Sequence, residues 1–222
     1  MTVVWTIVVA GGSGSRFGRP KQFDDLEGRR VVDWAIAAAR SVSAGVVLVV
    51  PADARPVNDM DATGEAVDVV VAGGATRSGS VRAGLAAVPA EAEVVLVHDA
   101  ARPLADTALF QRVIDAVVGG ADGAVPAVPV TDTITAATDG LDGGSVGASL
   151  DRRGLAAVQT PQGFSAAALR LAHRGDPEAT DDASLVAATG GKVVFVPGDP
   201  TNLKITHPTD LVVAAALIAS RS

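Results

Sequence analysis

Short apolar runs rich in valine alternate with stretches of helical apolar spacing along the N-terminal half of the chain, and this alternation constrains the fold most. Strands that are apolar on both faces must be covered by helices on both sides, which is typical of a parallel sheet. We therefore expect an α/β fold, with a Rossmann-like, mostly parallel sheet flanked by helices that binds its ligand at the carboxyl edge. The predicted strands are residues 3–10, 46–50, 67–71, 94–97 and 124–130, and the predicted helices between them are residues 31–40, 79–88 and 107–118.

A polar segment, residues 131–153, interrupts this rhythm. It is rich in Gly, Asp and Thr, and two short alternating pieces, residues 133–136 and 155–158, stand on either side of its loop. We interpret the segment as a β-hairpin arm inserted in a single domain of residues 1–222; the alternative is a disordered surface loop. The elements predicted after it are helices near residues 165–172 and 181–189, a strand at 192–197 and a helix from Pro208.

Composition excludes several classes of function. The chain has no Cys, which removes thiol catalysis and thiolate metal sites, and its three His are too scattered for a His-rich zinc site. A formal net charge of −7 with 3% aromatic residues argues against a nucleic-acid partner, which needs a basic face and stacking platforms. The run at residues 3–10 lacks the basic flank of a signal peptide, and the run at 211–219 is too short to span a bilayer. We therefore expect a soluble, cytoplasmic protein without a membrane partner.

The most informative segment is the glycine-rich turn after the first strand, residues 10–22. A dinucleotide-binding fingerprint that starts at Gly12 needs a small residue where Phe17 stands, which argues against an NAD-dependent dehydrogenase. A Walker phosphate loop that starts at Gly14 needs Gly-Lys-Ser/Thr at its end, and the chain does not have it. Neither of these two common phosphate-binding motifs therefore fits the turn.

The same turn combines exposed backbone N–H groups with Arg16, Arg19 and Lys21, and no acidic residue stands between them. Backbone donors and fixed cations together suit a polyphosphate. The alternative is a tight strand-to-helix turn with solvated arginines. Because Lys21 is one of three lysines in the whole chain, its position here favours the polyphosphate site.

Further motifs follow in order along nearly the whole chain. They are Gly73-Gly74 with Arg77, Ser80 and Gly84, the run His98-Asp99-Ala100-Ala101-Arg102-Pro103, and residues 129–133, 151–152, 160–162, 180–184 and 202–206. With residues 10–22, they make the chain similar to the 2-C-methyl-D-erythritol 4-phosphate cytidylyltransferases of the non-mevalonate isoprenoid pathway, which are nucleotidyltransferases. The resemblance implies an enzyme that transfers CMP from CTP to 2-C-methyl-D-erythritol 4-phosphate and releases pyrophosphate, with Mg²⁺ as cofactor.

Such a transfer needs fixed cations more than it needs a general base, because a phosphate monoester is already largely dianionic near neutral pH. The protein must align two anions and neutralise the charge that builds on the α-phosphoryl group. The resemblance assigns catalysis to Arg16, Lys21 and Lys204. It implies nucleotide contacts by Ala10, Gly11, Gly12, Gly14, Gly74, Arg77, Ser80 and Asp99, and acceptor contacts by Asp99, Arg102, Thr133, Arg152, Thr160, Thr180 and Lys204.

Two of these residues admit a second interpretation. Asp99 follows a buried-looking strand, where an acid suits Mg²⁺ or a substrate hydroxyl, but an Asp there also suits a cap of the next turn or a pair with Arg102. We expect Mg²⁺ to be held mainly by the triphosphate, with Asp99 as its ligand from the protein. Ser80 suits a cytosine edge and, equally, the N-cap of a helix. The family often has an acidic residue after its glycine pair, where this chain has Ala75.

The resemblance also places Thr133 and Arg152 on an arm that reaches the active site of a second subunit, which predicts a homodimer with exchanged arms. Judged from the residues alone, Arg152 and Arg153 are an ordinary solvated pair in a polar loop. The alternatives are a cytidylyltransferase for ribitol 5-phosphate or a similar pentitol phosphate, and a non-catalytic nucleotide-binding protein. The latter predicts loss of the reacting cations, which this chain retains.

Overall fold

The computed structural model describes residues 2–12, 17–52 and 67–221. These residues form twelve strands and six α-helices. The strands are β1 (Val4–Val9), β2 (Asp25–Leu26), β3 (Arg29–Arg30), β4 (Gly45–Val50), β5 (Val69–Ala72), β6 (Val94–Asp99), β7 (Gly123–Pro129), β8 (Thr135–Thr138), β9 (Ser145–Ser149), β10 (Ala156–Val158), β11 (Gln162–Ser165) and β12 (Val193–Pro197). The helices are α1 (Val31–Arg40), α2 (Arg77–Ala87), α3 (Thr107–Val118), α4 (Ala166–Ala172), α5 (Asp182–Ala188) and α6 (Pro208–Ala219).

Eight strands form the central sheet, in the order β10-β7-β11-β6-β1-β4-β5, with β12 also paired to β7. The pairs β6–β1, β1–β4, β4–β5 and β7–β12 are parallel. Within the central sheet, β10 and β11 are the only described strands that run antiparallel to their neighbours. The expected α/β fold with a mostly parallel sheet is therefore confirmed.

The strand β4 shows why both faces of the sheet need helices. All six of its residues are buried, and they alternate between two apolar clusters. Val46 and Leu48 belong to the cluster that includes α1 and α3, whereas Val47 and Val49 belong to the cluster that includes α2, α4 and α5. Because each buried Val or Leu stabilises the fold by about 1.5–3 kcal/mol, the two-sided core holds the carboxyl ends of the strands in fixed positions.

Two helices begin and end where the apolar spacing predicts, α1 and α3. The N-cap of α3 is Asp106, whose carboxylate accepts the Leu109 N–H at 2.7 Å. The last helix, α6, starts at Pro208 as predicted, and Asp210 in its first turn accepts the His207 N–H at 2.7 Å. No helix in the described part of the chain is long and apolar enough to cross a membrane.

The arm is a two-stranded hairpin, but one of its predicted strands is wrong. Its strands are β8 and β9, and the predicted piece at residues 155–158 is instead β10, which pairs with β7 in the central sheet. The segment of β9 has Val146 as its one large apolar residue. Its Gly147 lies against Ala136 so closely that a Cβ atom would be 2.9 Å from the Ala136 carbonyl oxygen. The local sequence pattern therefore predicts the wrong partner strand for β8.

Candidate active site

The carboxyl ends of β1, β5 and β6 open into a cavity of about 460 Å³, which the segment around Lys204 closes on one side. This is where a parallel sheet is expected to bind its ligand. The residues that line it are Val9, Ala10, Gly11, Gly12, Lys21, Gln22, Gly74, Ala75, Thr76, Arg77, Ser80, Asp99, Ala100, Ala101 and Lys204. Most of the predicted nucleotide-binding residues therefore lie together.

The described start of the turn after β1, residues 10–12, is held by a residue to which the sequence assigned no role, Gln22. Its side chain is 4% exposed, and its Nε2 donates to the carbonyl oxygens of Ala10 at 2.7 Å and Gly12 at 3.1 Å. Lys21, the first residue of a 3₁₀ turn (Lys21–Phe23), lines the cavity next to it. Predicted site residues Gly14 and Arg16 lie outside the described residues.

The second wall is the turn into α2. Thr76 is the N-cap of this helix, because its Oγ1 accepts the Gly79 N–H at 3.0 Å, so the N-cap interpretation of Ser80 is wrong. The Ser80 hydroxyl donates to the Thr76 carbonyl at 2.9 Å and therefore presents only acceptor capacity to the cavity. A Cβ atom at Gly74 would lie 2.8 Å from the Gly79 carbonyl carbon, so the loop and the helix approach too closely for a side chain there.

Asp99 is the carboxylate among the described cavity-lining residues. Its Oδ2 accepts the Lys204 Nζ at 2.6 Å, and its Oδ1 lies 3.9 Å from the Arg77 Nε. Burial acts to raise the pKa of Asp99, but the charges of Lys204, Arg77 and Arg102 outweigh it and lower the pKa to about 2. The carboxylate is therefore ionised at neutral pH. Its side-chain contact is with Lys204, whereas Arg102 acts on it through charge and donates its backbone N–H to the Asp99 carbonyl oxygen at 3.0 Å.

Thr160 lies behind Asp99 and orders the end of β6. Its Oγ1 accepts the Asp99 N–H at 3.0 Å and lies 3.1 Å from His98 Nδ1, while His98 Nε2 lies 3.2 Å from the Arg102 carbonyl oxygen. Burial, aided by the charge of Arg102, lowers the pKa of His98 to about 4, against the opposing charge of Asp99. A neutral imidazole that donates from Nε2 and accepts at Nδ1 satisfies all these contacts, so His98 is built to hold the strand end rather than to transfer protons.

The other predicted acceptor residues are not among the described residues that line the cavity. Arg102 donates to the carbonyl oxygens of Asn202 at 2.8 Å and Val158 at 3.3 Å, so it ties the end of β6 to the Lys204 segment. Thr133 is exposed, and Arg152 is exposed and donates to the Thr131 carbonyl. Thr180 is exposed just before α5. Within one chain, the structure brings Asp99 and Lys204 to the cavity and leaves these residues outside it.

No cluster of three or more His, Asp or Glu side chains within residues 2–12, 17–52 and 67–221 could cage a metal ion. The donor available to a metal at the cavity is the Asp99 carboxylate, one oxygen of which already accepts from Lys204. Mg²⁺ is commonly held by one or two carboxylates with substrate phosphates and waters. A single carboxylate therefore fits a Mg²⁺ ion that arrives with a polyphosphate.

Comparison with known proteins agrees with this arrangement. The sequence profile of the 2-C-methyl-D-erythritol 4-phosphate cytidylyltransferase family matches residues 4–220. The chain is 43% identical to the enzyme of that name from Rubrobacter xylanophilus, over 97% of this chain and 94% of the relative. It is 44% identical to a bifunctional enzyme IspD/IspF from Solidesulfovibrio magneticus, over 97% of this chain but 57% of that longer protein.

A solved structure supports the same assignment. The crystal structure of 2-C-methyl-D-erythritol 4-phosphate cytidylyltransferase from Thermus thermophilus superposes with a TM-score of 0.82 at 40% identity, over 99% of this chain and all of the other. The profile match, the relatives and this superposition all cover nearly the whole chain, the glycine-rich turn and the Lys204 segment included. The chain belongs to the 2-C-methyl-D-erythritol 4-phosphate cytidylyltransferase family.

Proposed function

We propose that the cavity binds CTP and that the protein transfers CMP to 2-C-methyl-D-erythritol 4-phosphate, a step of isoprenoid precursor synthesis. The observation that carries the proposal is that Lys21, Arg77 and Lys204 line one cavity with Asp99 at the carboxyl edge of the sheet. Family membership supplies the two substrates. The predicted role of Arg16 in the same turn stays part of the proposal.

In this reaction, an oxygen of the acceptor phosphate attacks the α-phosphorus of CTP, a new P–O bond forms, and the bond to the β-phosphate oxygen breaks to release pyrophosphate. The acceptor phosphate is already deprotonated, so no side chain needs to remove a proton. Lys21, in the turn after β1, and Lys204, in the segment before α6, line the same cavity. Their charges neutralise the equatorial oxygens as negative charge builds in the transition state.

The second wall suits a cytosine ring. The backbone of Gly74 is open to the cavity, and glycine allows a flat base to approach the main chain closely. Ser80 presents an acceptor, which matches the exocyclic amino group of cytosine rather than the carbonyl that uracil has at the same position. This contact, together with the backbone of Ala10 and Gly11, is the proposed basis for the choice of CTP.

Mg²⁺ is the proposed cofactor, held mainly by the triphosphate with Asp99 as its ligand from the protein. When bound, it would neutralise phosphate charge beside the lysines. The ionised state of Asp99, whose pKa is lowered to about 2, keeps this ligand available at every physiological pH.

We further propose that the protein is a homodimer whose arms complete the acceptor site. Thr133 precedes β8 and Arg152 follows β9, and neither is among the residues that line the cavity of their own chain. The arm also exposes apolar side chains that a second subunit would cover, with Leu141 92% and Val146 88% exposed. Thr160, Thr180 and Arg102 keep their proposed acceptor roles, although Thr160 and Arg102 already hold the end of β6. The cytoplasmic location and the absence of nucleic-acid and membrane partners stay predictions.

A pyrophosphate-release assay tests the proposal. We expect turnover with CTP and 2-C-methyl-D-erythritol 4-phosphate in the presence of Mg²⁺, and much lower rates with UTP or ATP. Ribitol 5-phosphate is the control acceptor, since the relatives do not favour a pentitol phosphate enzyme. Faster turnover with ribitol 5-phosphate would contradict the proposed acceptor, and CTP binding without turnover on either would indicate a non-catalytic binding protein.

A further inference from the structure

A buried carboxylate lies behind the cavity, and the proposed reaction gives it no role. Asp182, the first residue of α5, has no exposed surface, and its Oδ2 accepts the Arg77 Nη1 at 2.8 Å. Asp182 and Arg77 are 105 residues apart in the chain. Removing a charge of this kind from water is costly unless it is paired and hydrogen-bonded, so the partners of Asp182 decide whether it can stay ionised.

The second oxygen of Asp182 is also satisfied. His173, which follows α4, places its Nε2 2.9 Å from Asp182 Oδ1, and the residue as a whole is 6% exposed. The carboxylate is thereby fixed from two sides, by a side chain from α2 and one from the end of α4. A carboxylate held at both oxygens has one orientation, and so does the guanidinium that shares it.

Arg77 lies between two carboxylates at unequal distances. Its Nη1 is in direct hydrogen-bond contact with Asp182, whereas its Nε is 3.9 Å from Asp99. Asp182 therefore takes the close contact, and Asp99 keeps its own close contact with Lys204 at 2.6 Å. The Arg77 side chain is 25% exposed and lines the cavity, so the face that remains can meet an anion.

We propose that Asp182, oriented by His173, is a positioning residue that holds the Arg77 guanidinium in place for CTP and away from Asp99. The inference rests on the proposed nucleotide site. Without the charge of Asp182, Arg77 loses its anchor and is drawn to the nearest remaining carboxylate, Asp99. CTP would then meet a misplaced guanidinium, and Asp99 would be shared between two cations.

The test is a double-mutant cycle on CTP binding, measured by titration calorimetry with Mg²⁺ present. The variants are Asp182→Asn, Arg77→Gln and the two combined; Asn keeps the shape of the side chain and removes its charge. We expect Asp182→Asn alone to weaken CTP binding about ten- to a hundredfold, which is the range for a lost charged hydrogen bond. In the Arg77→Gln background, the same change should cost less than about threefold, since Asp182 acts through Arg77.

The matched control is Asp181→Asn, which removes the same charge one position earlier. Asp181 caps α5 by accepting the Ser184 N–H at 3.0 Å, and Asn caps a helix as well as Asp does. The charge of Asp181 also acts on Arg77, but more weakly than that of Asp182, so this variant should weaken CTP binding less than about threefold. If Asp182→Asn does not fold, as judged by its thermal unfolding, His173→Gln replaces it, and its smaller loss of binding must also vanish in the Arg77→Gln background.

Equal losses in both backgrounds, or no loss in either, would overturn the positioning role. Failure of the proposed function has a different signature, because wild-type protein would then bind no CTP. A positioning role also predicts that the KM for CTP rises in Asp182→Asn while the KM for the acceptor stays unchanged.

Discussion

Mixing two inactive variants tests whether each active site takes residues from two chains. Lys21 lines the cavity, whereas Arg152 follows the second strand of the arm and does not line the cavity of its own chain. If the arm enters the partner's site, a dimer of one Lys21→Ala chain and one Arg152→Ala chain contains one site with both residues intact. Its other site lacks both.

The size of the recovery follows from two-fold symmetry. When equal amounts of the two variants exchange subunits at random, half of the dimers are mixed, and each mixed dimer has one intact site of two. The mixture should therefore recover about one quarter of the wild-type rate, although each variant alone is nearly inactive. The Arg152→Ala protein loses a charged contact to the acceptor, so the assay is run at low acceptor concentration, where its expected loss is about ten- to a hundredfold.

The assay measures pyrophosphate release after joint refolding or co-expression of the two variants. The control mixture is Lys21→Ala with Lys204→Ala, because both of these residues line the same cavity and no mixed dimer regains an intact site. Recovery in the test mixture but not in the control supports the exchanged arm. Equal behaviour of the two mixtures would refute the reasoning, and Arg152 would then act within its own chain or not at all.

Three further predictions concern the cavity itself. Lys21→Ala should lower kcat by about 10²- to 10³-fold with unchanged thermal unfolding, because its charge acts on the transition state; near-normal turnover would remove Lys21 from the mechanism. Since the folded-state pKa of Asp99 is depressed to about 2, its ionisation stabilises the fold above pH 4 and this contribution is lost as the pH falls towards 2. The free-energy difference between wild type and Asp99→Asn, from urea unfolding, should thus change by about 2 kcal/mol between pH 5 and pH 2, and a constant difference would contradict the assigned shift. Gly74→Ala, whose Cβ would lie 2.8 Å from the backbone of α2, should destabilise the protein by about 1–3 kcal/mol. Gly12→Ala, with no atom within 4 Å of its Cβ, should leave stability unchanged and weaken CTP binding; the reverse outcome in the two glycine variants would refute the close packing at the turn into α2.

Local pattern predicted the elements whose burial is regular. The helices α1 and α3 have the predicted bounds, since their apolar residues recur at helical spacing, and the structure adds the Asp106 cap of α3. The second strand of the arm was predicted in the wrong place, because β9 contains Gly147 and has Val146 as its one large apolar residue. Pairing between strands depends on tertiary approach, which the local sequence of an exposed hairpin does not encode.

Some of the contacts that build the site could be predicted from the sequence, and others could not. Motif residues from distant parts of the chain, such as Asp99 and Lys204, could be assigned to one site because the family resemblance gives both a role there, in agreement with a parallel sheet that gathers its strand ends at one edge. The roles of Gln22 and Asp182 could not be predicted. A buried amide that donates to two carbonyl oxygens leaves no periodic pattern in the sequence, and neither does a carboxylate paired with a residue 105 positions away. The run of two Asp residues at 181–182 was a visible signal, but only the structure shows that the first caps a helix and the second holds Arg77.

The charge of the cavity explains how an acidic chain can bind a polyanion. Its described walls carry Lys21, Arg77 and Lys204 against the single carboxylate Asp99, so the local charge is positive although the chain as a whole carries −7. The cations are also ordered before any substrate arrives, because Lys204 is held by Asp99 and Arg77 by Asp182. If Asp99 binds Mg²⁺ as proposed, the metal must compete with Lys204 for the same carboxylate. In that case Asp99 would hold the ion, and Lys204 would place its charge on the reacting phosphates.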